Sequence, residues 1–120
     1  MKNILLLKIF ILQILFFNAQ DCITYNSDDY GSDSVNCRKN LSLYTGYLTQ
    51  KNFTDAAIFW SRTQSKCPSL KPNLYANGAY IYKQIIKEKV KSKSSDLGLY
   101  RDTLYQIYDQ WFTNFGQCNS

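Results

Sequence analysis

The residues best equipped for chemistry in this 120-residue chain are its four cysteines, Cys22, Cys37, Cys67 and Cys118. Their spacing is too wide for a zinc ribbon or a C-x-x-C redox pair. An even number of well-separated cysteines points instead to disulfides, if the chain reaches an oxidising compartment. The sequence holds no histidine, which removes Ser-His and Cys-His nucleophilic pairs and every histidine-based metal site. No glycine-rich loop precedes a helix in phosphate-binding form. The nine carboxylates are scattered. Asp28, Asp29 and Asp33 faintly resemble a calcium loop, but the remaining oxygen ligands and the closing glutamate are missing, so the reading is an acidic solvated loop. No set of residues supports catalysis, and the expectation is a protein that is not an enzyme and takes no cofactor or metal.

Two other groups could recognise a partner. Lys83, Lys87, Lys89, Lys91 and Lys93 are one charge cluster. They suit the C-terminal end of a helix, whose dipole favours cations; they could also meet an anionic envelope polymer or lipid headgroups. The ten tyrosines all lie beyond residue 20. Most are expected to pack with the hydroxyl reaching water. Tyr75, Tyr82 and Tyr105 are the candidates for lining a ligand groove, since tyrosine recognises partners at low entropic cost. Asp33-Ser34-Val35 weakly matches a short O-glycan acceptor pattern.

Those residues need a scaffold. Residues 1–20, "MKNILLLKIFILQILFFNAQ", have an early lysine, a mostly apolar run and a small residue, Ala19, near the end. That is the pattern of a secretory signal peptide, too short in its apolar run for a comfortable membrane span. Export, to the periplasm or the outer envelope, is therefore expected. Loss of Lys2 and Lys8 with that segment lowers the net charge from +5 to +3. So weak a basicity does not imply a nucleic-acid partner. Residues 21–36 read as an exposed acidic lead-in, 37–116 as the folded domain and 117–120 as a tail.

Within 37–116 the apolar residues recur at helical spacing and no segment alternates as a strand. The fold class is all-α. The first helix is predicted from about Asn36 or Cys37 to Thr49, with Leu41, Tyr44 and Leu48 on one face and Leu43 and Tyr47 beside it. The second is 53–66, with Thr54 as N-cap, Asp55 at the positive end and Phe53 stapled onto Ile58. Pro68 cannot continue it. The third begins near Pro72 and runs to Val90. The fourth is 97–115, with Tyr100, Leu104, Ile107, Tyr108, Trp111 and Phe115 on its face and Gly116 as its stop. Short connections make antiparallel hairpins the default.

The first two helices fit the tetratricopeptide helix-turn-helix pattern through Tyr47, Ala56, Trp60 and Pro68. A second copy begins in phase: Tyr44 and Gly78 are 34 positions apart, as are Tyr47 and Ile81. Gly78 takes the small slot of the first helix; Tyr44 fills the corresponding slot in the first copy, which suggests looser packing there. The register then breaks, because Ala56 maps to Val90 in the lysine-rich linker. An unrelated four-helix bundle is the alternative.

"LSLYTGYLTQKNFTDAAIFWSRTQSKCP", "YANGAYIYKQII" and "DTLYQIYDQWFTNFG" together resemble exported bacterial tetratricopeptide-repeat proteins of the cell envelope. The likeness spans about residues 37–116 as three blocks in order. Trp111 departs from it, standing where that family often has arginine. Members of that family usually continue into further repeats, and this chain ends at Ser120. The resemblance implies a scaffold or protein-binding role without catalytic residues. About two repeats fall short of the three or so an array needs. A disulfide, homodimerisation or further repeats would compensate.

In a helical hairpin the start of the first helix lies beside the end of the second. Cys37 and Cys67 hold those two places, so a bridge between them is predicted. Cys22 and Cys118 are then the leftover pair, or one of them bridges to another chain.

Overall fold

The computed structural model describes residues 27–116, and they form four α-helices with no strand among them. They are α1 (Ser34–Thr49), α2 (Phe53–Lys66), α3 (Pro72–Lys91) and α4 (Leu97–Phe115). The all-α reading therefore holds, with helices packed in chain order: α1 on α2, α2 on α3 and α3 on α4. No helix among the described residues is long and apolar enough to cross a membrane. The predicted signal peptide, Cys22, Cys118 and the 117–120 tail lie outside the described residues.

Local chemistry sets the helix ends. α1 starts at Ser34, earlier than expected, because Asp33 caps it: the Asp33 carboxylate accepts from the Asn36 backbone N–H at 3.3 Å. α2 is capped by Asn52, not Thr54. The Asn52 side-chain oxygen accepts from Asp55 N–H, and its amide donates to the Asp55 carboxylate at 2.7 Å, a reciprocal pair that leaves Thr54 inside the first turn. Nor does Phe53 staple to Ile58. Its ring meets Tyr80 of α3 edge-on at 5.8 Å, while Ile58 faces outward.

α1 and α3 end in the same device. Lys51 and Lys93 adopt left-handed backbone geometry, and each allows two N–H groups to bond back to the last turn: Lys51 to Leu48 and Asn52 to Tyr47, then Lys93 to Val90 and Ser94 to Lys89. Both hairpins thus turn by one mechanism.

Trp60 of α2 is the centre of the core. It is 3% exposed, its indole N–H donates to the Leu74 carbonyl at 2.7 Å, and Tyr75 and Tyr82 of α3 pack against it in edge-on geometry. The ring lies against Gly78, where an added Cβ would stand 2.3 Å from two of its carbons. Only a residue without a side chain lets α3 approach this tryptophan. Ala56 and Ile81 are fully buried in the same core. Tyr47 stacks on Phe59 at 5.5 Å and joins α1 to α2. Tyr44 is not loosely packed: it is fully buried, and its hydroxyl accepts from the Asn77 amide at 3.3 Å, tying α1 to α3.

Cys37 and Cys67 form the predicted disulfide, with their α-carbons 5.9 Å apart. Pro68 is exposed just beyond it, ends α2, and offers its carbonyl to the Tyr75 hydroxyl at 2.6 Å.

The described end of the lead-in is not a free loop. Asp29 N–H donates to the Leu70 carbonyl at 3.1 Å, and Tyr30 packs against the core with the Arg38 guanidinium over its ring. Gly31, at φ 70°, passes so close to Lys66 that a Cβ there would meet its carbonyl oxygen at 2.8 Å. This strap covers the disulfide end of the first hairpin.

Candidate functional site

The acidic residues of the strap are committed to the fold. Asp28 accepts from Tyr30 and pairs with Lys71 at 3.9 Å; Asp29 accepts from Gly31 N–H; Asp33 caps α1 and pairs with Lys66. The Asn36 hydrogen bonds, with a smaller contribution from Lys66, hold the Asp33 carboxyl below the usual carboxylate range. No cluster of metal-ligating residues occurs among the described residues.

The three tyrosines proposed as groove residues do not come together. Tyr75 is fully buried, with Phe115 against its ring and its hydroxyl bonded to Pro68 and Asn114, so it leaves the binding set. Tyr82 is wedged between Trp60 and Tyr100. Burial pushes both phenols above their ordinary range. Tyr105 is the exception, 68% exposed on α4.

Lys83, Lys87 and Lys91 recur four residues apart on one face of α3, and Lys93 lies just beyond the helix end. Lys89 pairs with Asp96 at 2.8 Å, and Asp96 also accepts from Ser94. That pairing lifts the Lys89 ammonium above, and holds the Asp96 carboxyl below, their usual ranges. Lys91 faces Glu88 at 3.7 Å, and Lys83 rests over the Tyr108 ring. Lys87 and Lys93, like Lys83, have no ion-pair partner among the described residues.

A different set of cations does converge. Between α1 and α2 lies an open cleft of about 760 Å³. Asn36, Lys39, Asn40 and Leu43 contribute from one helix, and Phe59, Ser61, Arg62, Ser65 and Lys66 from the other. Leu43 and Phe59 are its apolar surface. Three of the nine lining residues are cationic and none is acidic. Lys66 is partly neutralised by Asp33 at 3.3 Å on the rim. Arg62 lies over the Phe59 ring at 5.0 Å, an arrangement that holds a guanidinium without neutralising it. Among the described residues neither Lys39 nor Arg62 has an ion-pair partner.

Sequence reasoning alone misses this cleft, though its signal is present. Asn36, Lys39, Asn40 and Leu43 recur at helical spacing, as do Phe59, Arg62 and Lys66, and the hairpin pairing inferred for Cys37 and Cys67 brings those faces together. Chemically the cleft can hold an extended anionic chain, with apolar contact from Leu43 and Phe59 and hydrogen-bond donors along both walls. It contains no nucleophile and base in partnership. No protein-family model, curated protein or solved structure matches the chain.

Proposed function

We propose that the chain is a non-enzymatic, exported interaction scaffold of tetratricopeptide-like hairpins, and that its α1–α2 cleft receives an acidic segment of a partner protein. The observation that carries this reading is the charge of the cleft: Lys39, Arg62 and Lys66 accompany Leu43 and Phe59 with no carboxylate among the lining residues. The two cations without an internal partner favour an external one, since an acidic ligand gains charge-assisted hydrogen bonds there without breaking any ion pair within the described residues. Export is supported by the leader pattern and agrees with the Cys37–Cys67 bridge.

The test is a titration of the chain with a fluorescein-labelled glutamate-rich peptide carrying one central phenylalanine, followed by anisotropy. The double variant K39E/R62E reverses two exposed charges and is expected to weaken binding by at least about tenfold. K87E/K91E, on α3 and outside the cleft lining, is expected to leave it unchanged. Equal binding by wild type and K39E/R62E, or loss confined to K87E/K91E, overturns the reading.

A further inference from the structure

α4 presents a second surface, independent of the cleft. Its inner face is filled by Tyr100, Leu104, Ile107, Trp111 and Phe115 against the core. Beside that face, Tyr105 (68% exposed), Tyr108 (38%) and Phe112 (55%) form an outward aromatic stripe at helical spacing. A run of exposed aromatics on one helix signals an interface. Arg101, Asp102 and Asp109 flank the stripe, and none of the three has an ion-pair partner among the described residues. Gly98, in the first turn of α4, has open space where a side chain would be.

We propose that this surface binds a second copy of itself, forming a two-fold homodimer in which α4 packs antiparallel on its counterpart about Tyr105. The pattern of residues on this face is symmetric under reversal. With Tyr105 on the axis, Arg101 falls opposite Asp109 of the second copy, and Asp109 opposite its Arg101. Phe112 falls opposite the open position at Gly98, seven residues to the other side, about 10.5 Å along each helix. Tyr108, with the Lys83 ammonium 5.6 Å from its ring centre, falls opposite Asp102. Arg101 and Asp109 each meet an opposite charge, and the exposed Phe112 ring meets the smallest residue. A two-fold interface has to be self-complementary in this sense. The consequence is a particle with two acidic-peptide clefts, which gains avidity for ligands carrying repeated acidic segments.

Light scattering on the size-excluded chain, with dissociation constants from sedimentation, tests the interface. Wild type is expected to have twice the chain mass. R101D and D109R each replace two attractive pairs by two repulsive ones and are expected to weaken the dimer about 30-fold. In R101D both positions are acidic, and in D109R both are basic. Mixed one to one, the two variants therefore regain two attractive pairs and reassociate as a heterodimer. Both positions lie on the exposed helix surface, so circular dichroism should match wild type. A wild-type monomer at the highest soluble concentration, dimers indifferent to both reversals, or no association on mixing overturns the proposal.

Discussion

Gly78→Ala is the substitution that probes the core most sharply. In a helix interior the change normally stabilises, by about 1 kcal/mol, because alanine loses less backbone entropy than glycine. Here the new methyl would lie 2.3 Å from Trp60 Cε2 and Cζ2 and 2.8 Å from Nε1. The obstacle is a ring held by Tyr75 and Tyr82, not the free end of a flexible chain. Trp60 must move, and with it goes the 2.7 Å bond to the Leu74 carbonyl. Forcing a group into a filled core costs about 1–3 kcal/mol. Leaving a buried indole N–H and a carbonyl unpaired costs about 1–3 kcal/mol more. Less the propensity gain, the net loss is about 1–5 kcal/mol, a large share of a small domain's stability. Urea unfolding followed by tryptophan fluorescence measures it, with Gly46→Ala as the control. Gly46 is also helical but has nothing within 4 Å, so that variant should gain about 0.5–1 kcal/mol. A Gly78→Ala chain as stable as wild type would refute the close approach of α3 to Trp60 as the organising contact.

Two further outcomes follow from other parts of the core. The Cys37–Cys67 bridge joins residues 30 positions apart, and the chain-entropy relation assigns such a loop roughly 3–4 kcal/mol, so C37S/C67S should lower the urea midpoint accordingly, with the helical spectrum kept at low denaturant. Burial raises the phenol pKa of Tyr44, Tyr75 and Tyr82 above the ordinary 10.0. The unfolded chain releases those protons near 10 while the folded chain still holds them. Their contribution is therefore intact below pH 10 and lost as pH climbs through the folded-state values. Phenolate absorbance and helicity should change together on the alkaline side, and titration of all tyrosines at the ordinary value with the fold intact would contradict that burial.

How much of this is legible in the chain depends on whether each feature is local. Helix positions are readable because period and punctuation agree: Pro72 opens α3 and Gly116 closes α4, as the residues imply. Gly78 is readable as a small slot, and the cysteine pair follows from hairpin geometry alone. The Asn52 cap is not, because Thr54 has comparable capping chemistry and only the left-handed Lys51 before it decides which residue stays outside the helix. The strap reads as a loop because its order comes from Leu70 and Lys66, distant in sequence. Tyr75 reads as a groove residue because Pro68 and Asn114 satisfy its hydroxyl inside the fold, which no tyrosine count reveals. The cleft depends on the rotation of two helices about their axes, set by Tyr47 on Phe59 and the disulfide together.

The cleft reading is tested most directly by amide chemical-shift mapping of the isotope-labelled chain with the glutamate-rich peptide. Saturable shifts are expected at Asn36, Lys39, Leu43, Phe59, Arg62 and Ser65, abolished in K39E/R62E. Shifts centred on Lys83–Lys91, or none that saturate, would contradict it.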